Sequence, residues 1–438
     1  MQLNSDFILA IVKLAATFGV MLILLQMKWK LWQAIMTGCL MVGLMAFMGG
    51  IPLKDILLVP LSPLQDEGFL LMQLMIFGIM LLSALQGVTG QSQRLVDALD
   101  RYIRWPRLRL VIFPALVGFL PMPGGALFSC PMLDAAAHGL EISPKRKTLI
   151  NYWFRHIWET TWPLYPGFIL VCSMVGIPLQ ALMVRTFPLV FLSIVIGWLF
   201  FIRDIKIPGN KISEEQRPPA THPLLDVFYE SLPITVTIFG AAAFSALFNA
   251  LAPALPSQVA FVCSLALGNL IAFVQGRRHA SFSLGGQLLN KRTFALMTLI
   301  YVIFIFKDMI GVSGIVADMS HTGGSPVIVG LMFIILPLIC GMLTGVMVGY
   351  VGAAFPILLG IIAEGGLEAY TLPLIVLGIS AGQIGQLATP LHVCVVVTCE
   401  YYKVHFSEIW RSLIKPLALL LCGGLIWVGV LFALKAQF

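Results

Sequence analysis

Long apolar runs, separated by short polar or basic segments, recur along the whole chain. Each run approaches the about 20 residues that an α-helix needs to cross the hydrocarbon core of a bilayer. Their spacing predicts about 10 transmembrane helices, shared equally between two halves of the chain. The predicted spans cover 7–26, 31–49, 67–88, 148–176, 179–202, 223–251, 257–275, 293–312, 371–400 and 407–434.

Two further apolar stretches, 107–139 and 326–362, lie between the third and fourth spans of each half. Glycine and proline interrupt both stretches. Each is long enough for two half-depth segments, but its breaks disfavour two complete crossings of the membrane. We predict that each forms a re-entrant hairpin, which enters and leaves the bilayer by the same face.

The basic residues give the predicted sidedness. Lysine and arginine are enriched on the cytoplasmic side of membrane proteins. The basic loops share one side of the membrane only if 107–139 is re-entrant. On this layout 203–222 and 276–292 are cytoplasmic, whereas 313–325 and 363–370, which contain no lysine or arginine, are external.

The two halves also match each other locally, at offsets of 223 to 227 residues. The sequence at 87–90 matches that at 311–314, and Pro163 matches Pro390. The halves start on opposite sides in the predicted layout, so we expect two inverted repeats. The first covers 1–202, the second covers 223–438, and 203–222 is the cytoplasmic linker between them.

Composition supports an all-α membrane protein. Of 438 residues, 59% are hydrophobic and 11% are charged, against about 25% charged in a typical soluble domain. We expect a multi-pass protein of the cell (inner or plasma) membrane, with the lipid bilayer as a partner. The formal charge of +7 is explained by cytoplasmic basic loops, and no basic patch indicates a nucleic-acid partner.

Signatures of catalysis and of metal binding are missing from the sequence. It contains no GxxxxGK[ST], GxSxG or HExxH motif, so we predict that the protein is not an enzyme. The eight cysteines lie in apolar segments, without a CxxC pair and without a histidine at metal-ligand spacing. The sequence therefore predicts no metal site and no resident cofactor.

Four segments break the rules of helix formation at membrane depth, namely 121–129, 156–163, 344–352 and 382–390. Irregular backbone is tolerated there only where it is buried or lines a cavity. Transporters built from inverted repeats hold their substrates at paired breaks of this kind. The predicted substrate-binding residues are Pro123, Gly124, Gly125, Ser129, Thr160, Thr161, Thr344, Gly349, Gly352, Thr389 and His392.

Glu159 is the residue that the sequence most clearly indicates as functional. Counted along a helix from Thr148, it lies about 17 Å deep in a core of about 30 Å. An intramembrane carboxylate is costly and indicates function. One interpretation is that Glu159 or His156 carries a coupling proton, or that Glu159 binds sodium. The other is a structural ion pair with Arg155, one helical turn away.

The matching positions of the second half carry amides instead of charges. The predicted ion-coupling residues are Glu159, His156, Arg155, Gln383 and Gln386. The coupling ion is expected to be Na⁺ or H⁺.

Three runs resemble a known family, NYWFRHIWETTWPLYPG, FLPMPGGALFSCPML and GQIGQLATPLHVCVVVTCEYY. They are similar to the membrane-protein family catalogued as domain of unknown function 401, which is grouped with the ion transporter superfamily. The resemblance implies inverted repeats with re-entrant hairpins, and a homodimer whose transport domain moves against a scaffold. The chain has Pro-Gly-Gly and Gly-Tyr-Val-Gly at the hairpin tips, where dicarboxylate carriers of that superfamily have Ser-Asn-Thr.

These observations predict a cation-coupled secondary active transporter of a small solute, an organic anion. The resemblance implies that it works by an elevator-type mechanism. The predicted half-helix amino ends carry partial positive charge, which suits a carboxylate. A sodium/proton antiporter and a non-transporting membrane scaffold are the alternatives.

Overall fold

A computed structural model describes residues 5–100, 102–103, 105–119, 125–207, 223–252, 254–288, 290–315 and 326–434. These residues form helices and connecting turns, with no strand among them. Within these ranges, nine helices are long and apolar enough to cross a membrane. The predicted all-helical, multi-pass membrane class is therefore confirmed.

The helices of the first half have 4 to 22 residues, and the four around the predicted functional segments have 10 to 13 residues. The helices of this half are α1 (Ser5–Gln26), α2 (Leu31–Met48), α3 (Leu53–Leu58), α4 (Ser62–Gln65), α5 (Glu67–Val88), α6 (Gln91–Asp100), α7 (Pro106–Gly118), α8 (Ala126–Ala136), α9 (Pro144–Arg155), α10 (Pro166–Val175) and α11 (Leu179–Gly197). A π-helical turn, Trp198–Ile202, continues α11.

The second half has a similar order of long and short helices. They are α12 (Pro223–Leu251), α13 (Ser257–Gly276), α14 (Leu284–Leu288), α15 (Lys291–Ser313), α16 (Pro326–Thr344), α17 (Met347–Glu364), α18 (Thr371–Leu387), α19 (Val393–Tyr402) and α20 (Phe406–Ala433). Most of the predicted linker, 208–222, and most of the predicted external loop, 316–325, lie outside the described residues.

Two of the predicted spans are each split into a pair of helices. The span predicted at 148–176 is broken between α9 and α10, and the span at 371–400 is broken between α18 and α19. Prolines 163 and 166 lie at the first break and Pro390 at the second. A proline lacks the amide hydrogen that would continue the helix, which accounts for both positions.

The two predicted hairpin stretches differ from each other. Helices α7 and α8 have 13 and 11 residues, or about 20 and 16 Å, which is less than a bilayer core of about 30 Å. Helices α16 and α17 have 19 and 18 residues, and α17 is long and apolar enough to cross a membrane. The second stretch is thus less broken than predicted. Each of the four helices keeps an internal proline, which packed neighbours allow.

Two apolar cores hold the described helices together. One joins α2, α5, α10, α15, α17 and α18, and the other joins α7, α8, α9, α19 and α20. Helices α11 and α20 run antiparallel, since Trp427 Nε1 donates to the Arg185 carbonyl at 2.7 Å while Gly423 lies against Leu192. The predicted functional segments at 156–163 and 382–390 lie where these cores meet.

Candidate functional site

The break between α9 and α10 places a polar turn inside the protein. Helix α9 ends at Arg155, and α10 begins at Pro166. Aromatic side chains bind the helix ends around this turn. Tyr165 Oη donates to the Gly118 carbonyl at the end of α7 at 2.5 Å, and Trp158 Nε1 donates to the Ala115 carbonyl at 3.0 Å. These bonds fix the turn that carries Glu159.

The break between α18 and α19 is shorter. Helix α18 ends at Leu387, and His392 is the N-cap residue of α19. The α16–α17 turn packs directly on this N-cap, and the positive φ of 64° at Gly345 allows its carbonyl to meet the His392 ring. A residue with a side chain would be strained at that φ.

The two breaks face each other across the middle of the molecule. Gln386 donates from its amide nitrogen to a Glu159 carboxylate oxygen. Gln383 Nε2 donates to the His156 carbonyl at 3.0 Å. Tyr152 Oη donates to the Leu387 carbonyl, at the end of α18, at 3.2 Å. Side chains of each half therefore satisfy polar groups that the helix break of the other half exposes.

Two histidines lie at the centre of this contact. The Nε2 atoms of His156 and His392 are 2.7 Å apart. Glu159 Oε1 lies 3.9 Å from His156 Nε2. Arg155 Nη1 lies 2.7 Å from the Cys394 sulfur. Each of these five residues is at most 8% exposed, so the cluster is shielded from bulk water and its electrostatic interactions are strong.

Four helix N-termini lie at or beside the contact between the two breaks. Gly125, the N-cap of α8, lies so close to the Arg155 guanidinium that it has no room for a Cβ. Gly167, in the first turn of α10, has no room for one against Met347, the first residue of α17. The fourth N-terminus is that of α19, capped by His392. The amino ends of helices carry partial positive charge, so this region favours an anion.

The structure brings together one group of the predicted site residues. Arg155, His156, Glu159, Gln383, Gln386 and His392 form the central cluster, and Gly125 touches it. The predicted Pro123 and Gly124 lie outside the described residues.

The other predicted site residues are engaged locally. Thr161 bonds to Thr186 at 2.9 Å, Thr344 bonds to the Cys340 carbonyl at 2.8 Å, and Thr389 accepts a bond from the Leu391 amide at 3.2 Å. The remaining ones are packed inside the protein, namely Ser129 and Thr160 among buried side chains, Gly349 against Thr344 and Gly352 against Ile303.

Sequence reasoning missed Cys394, Tyr152 and Tyr165. The signal for Cys394 was its position two residues after His392, on the first turn of a helix that follows a break. A search for cysteine pairs and for histidines at standard ligand spacing passes over this arrangement. The tyrosines carried no signal, since their acceptors are backbone carbonyls of other helices.

A cavity of about 870 Å³ lies apart from the cluster. Its lining includes Met174 of α10, Pro356 of α17, Lys307 and Asp308. Asp308 accepts from Ser62 Oγ at 2.6 Å and lies 3.2 Å from Lys307 Nζ. The cavity thus reaches α10 and α17, whose N-termini touch each other.

Comparison with known proteins gives a family for the chain. A search of the curated proteins found no match. A family model described as protein of unknown function (DUF401) matches residues 10–431, nearly the whole chain. The chain therefore belongs to the DUF401 family.

Proposed function

We propose that this protein is a cation-coupled secondary active transporter of a small organic anion. One observation carries the proposal: two broken helices meet at a buried charged cluster, and four helices begin at or beside that contact. Broken helices with convergent N-termini and a buried carboxylate are the means by which transporters bind anions and coupling ions. A scaffold has no need of such costly groups.

Matched contacts support two inverted repeats as the architecture. Glu159 bonds to Gln386 and His156 bonds to Gln383, and the partners are 227 residues apart in both pairs. Residues related by a two-fold axis touch their own counterparts only beside that axis. Helices α10 and α19, which start at residues 166 and 393, have ten residues each, and the counterparts α11 and α20 run antiparallel.

Two arginines support the first re-entrant hairpin. Arg107, in the first turn of α7, donates to the Ile205 carbonyl at 2.7 Å. Arg146, in the first turn of α9, donates to the Phe201 carbonyl at 2.9 Å. Both acceptors lie at the same end of α11, so the chain before α7 and the chain after α8 are at one face. That face is cytoplasmic in our proposal, because the basic loops gather there.

The positive groups of the cluster are proposed to bind the anion, and its carboxylate is proposed to bind the coupling cation. The helix N-termini and the Arg155 guanidinium attract a carboxylate. Glu159 provides the buried negative oxygen that a coupling cation needs. We propose that cation binding at Glu159 offsets the charge of the incoming anion, so that the two are bound together.

The packing of the helices supports an elevator-type movement. Helix α5 packs on α13 and α15, and α2 packs on α15, whereas α16 packs on α17 and α18, α18 packs on α20, and α19 packs on α8 and α9. Helices α10 and α17 connect the two sets through contacts with α5 and α15. We propose that the second set, together with the breaks that adjoin it, moves as the transport domain against the first. This step, the homodimer and membership of the ion transporter superfamily are part of the proposal.

Ligand-dependent stability tests the proposal on the full-length protein in detergent. A panel of mono-, di- and tricarboxylates is screened by thermal shift in sodium chloride and in choline chloride, at two pH values. We expect one carboxylate class to raise the melting temperature, and the coupling cation to enlarge that shift. Glu159→Gln should remove the cation's contribution, whereas Glu368→Gln, at an exposed position, should not.

Uptake into proteoliposomes then measures transport of the stabilising carboxylate, with sodium and pH gradients imposed separately. Stabilisation by cations alone, with no carboxylate effect, would identify a sodium/proton antiporter and overturn the proposal. Stabilisation by neither would identify a scaffold and overturn it as well.

A further inference from the structure

Three potential metal ligands lie together in the cluster. His156, His392 and Cys394 each offer one ligand atom, and these atoms all lie within 4.8 Å of one another. All three side chains are buried. They come from both halves of the chain, since His156 follows α9 while His392 and Cys394 begin α19.

The outer nitrogens of both histidines are held by backbone carbonyls. His156 Nδ1 lies 2.5 Å from the Tyr152 carbonyl, and His392 Nδ1 faces the Gly345 carbonyl. A carbonyl oxygen can only accept, so each Nδ1 carries a hydrogen. In a neutral imidazole the Nε2 atom then has a lone pair and no hydrogen. Histidines that bind metals are oriented in this way, by donation from the other ring nitrogen.

The two Nε2 lone pairs point at each other. Their nitrogens are 2.7 Å apart in the buried centre of the molecule. Two lone pairs at that distance repel, and buried polar groups without a partner are costly. The arrangement is therefore stable only with a cation, either one shared proton or a metal ion.

Two further donors distinguish a metal ion from a proton. The Cys394 sulfur lies in the first turn of α19 and 2.7 Å from Arg155 Nη1, and both positive charges stabilise a thiolate. Glu159 Oε1 lies 3.9 Å from His156 Nε2. A shared proton needs only the two rings, whereas two nitrogens, one sulfur and one oxygen match the tetrahedral ligand set of zinc-type ions.

We propose that His156, His392 and Cys394 bind a divalent transition metal ion, with Glu159 facing its fourth position. Imidazole and thiolate select ions of the zinc, cobalt or copper type over sodium, magnesium or calcium. The metal replaces the proton that the two Nε2 atoms share and the proton of the Cys394 thiol, and both protons leave to solvent. Arg155 keeps its contact with the sulfur, as groups behind metal ligands commonly do.

Binding requires a small adjustment of the two rings. Metal–nitrogen bonds of about 2.0–2.1 Å at a tetrahedral angle place two ligand nitrogens about 3.3 Å apart. The Nε2 atoms must therefore separate by roughly half an ångström from their 2.7 Å distance. Rotation of each ring about its Nδ1 hydrogen bond achieves this without moving the helices.

Cobalt(II) is the probe for the test, because tetrahedral cobalt–thiolate sites absorb strongly in the visible and near-ultraviolet. The full-length protein, purified in detergent and stripped with a chelator, is titrated with Co²⁺. We expect one Co²⁺ per chain, a sulfur-to-cobalt charge-transfer band, and displacement of Co²⁺ by Zn²⁺. His392→Gln should weaken binding at least about 100-fold, since even groups behind the ligands contribute 10–100-fold.

The matched control lies on the same helix. Cys394→Ser should abolish the charge-transfer band, whereas Cys399→Ser should retain it, because Cys399 is also buried in α19 but lies outside the ligand cluster. A band that survives Cys394→Ser would overturn the proposal. So would a wild-type protein that takes up no Co²⁺, since the histidines would then share only a proton.

X-ray absorption of the zinc-loaded wild-type protein needs no variant and covers the case in which a variant misfolds. It should show one sulfur and two imidazole scatterers around the metal, and a shell without sulfur contradicts the site. This inference does not rest on transport. Failure of carboxylate binding would leave the cobalt result unaffected, and failure of cobalt binding would leave the thermal-shift result unaffected.

Discussion

The two helix breaks meet inside the protein but carry different charges. The first contributes Arg155, His156 and Glu159, whereas the positions matched at an offset of 227 are Gly382, Gln383 and Gln386. The difference follows from the contact between the breaks. Glu159 bonds to Gln386, the residue at that offset, and two carboxylates at that distance would repel each other. If the halves are inverted repeats, as we propose, a residue beside their two-fold axis can be charged in one half only.

Other features of the two halves are shared. The backbone of α7 approaches the end of α9 at Gly118, and the backbone of α16 approaches α18 at Gly341. Neither glycine has room for a Cβ, because the Arg155 carbonyl blocks the first and the Gly382 carbonyl blocks the second. The two breaks thus share this close helix contact, whereas the polar residues where they meet differ.

The largest expected effect is a difference in thiol labelling between the two halves, which tests whether they are inverted in the membrane. Glu141 and Glu368 are exposed and precede α9 and its counterpart α18. If the halves are inverted, these residues lie on opposite sides of the membrane. In a background with the eight cysteines replaced, Glu368→Cys should react completely with an impermeant thiol reagent added to whole cells, and Glu141→Cys should be protected until the cells are opened. Equal labelling of both would refute the inversion.

The next prediction tests whether the close helix contacts at Gly118 and Gly341 contribute equally to stability in the two halves. A methyl group at Gly118 or Gly341 meets a backbone carbonyl that cannot move aside. We expect Gly118→Ala and Gly341→Ala each to lower the free energy of unfolding by about 3 kcal/mol or more. Thermal unfolding of the detergent-solubilised variants measures this loss.

Gly330→Ala serves as the control for both glycine variants. It adds a methyl group on α16 with no atom within 4 Å, and should be neutral or slightly stabilising, because alanine favours helix by about 1 kcal/mol over glycine. If only one of the two buried variants were damaging, the halves would not pack alike.

The sequence predicted the fold to the extent that the determinants are local. Apolar runs and prolines act on their own segment, so the spans at 31–49, 67–88 and 223–251 and both split spans were located. The continuity of α16 and α17 was missed, because whether a helix tolerates Pro337 or Pro356 depends on the neighbours packed around it.

The residues of the candidate site were predicted only in part, again where a local pattern identifies them. The cost of an intramembrane carboxylate identifies Glu159 without any structure. The partnership of His156 with His392 was not predictable, since 236 residues separate them and no local pattern links them. Cys394 can be recognised as a candidate ligand only once the contact between the two histidines is known.

A smaller loss of stability is expected when the single carboxylate at the contact between the breaks, that of Glu159, is duplicated or removed. Gln386→Glu puts two carboxylates together and should lower the free energy of unfolding by about 2 kcal/mol. Glu159→Gln retains a neutral hydrogen bond and should cost about 1 kcal/mol, while cation-driven accumulation of solute is lost. The double exchange, Glu159→Gln with Gln386→Glu, moves the carboxylate to its counterpart position and should recover the stability that Gln386→Glu loses.

Thermal unfolding and proteoliposome uptake on the three variants measure these effects. A loss of about 3–5 kcal/mol in Glu159→Gln, the size expected when a buried charge loses its partner, would instead indicate a structural pair with Arg155. In that case Arg155→Met in the same protein should restore stability, and the coupling role would be wrong.

The smallest expected loss of stability tests whether water reaches the last carbonyls of α18 at the second break. Tyr152 of α9 donates to the carbonyls of Leu387 and Gln386 at 3.2 and 3.4 Å, where α18 ends and its last carbonyls have no helical partner. Tyr152→Phe removes this donor and should lower the free energy of unfolding by about 1 kcal/mol. Tyr370→Phe, at an exposed ring, should have no effect. If Tyr152→Phe also has none, water reaches these carbonyls in place of the hydroxyl, and the second break then lines a wet cavity.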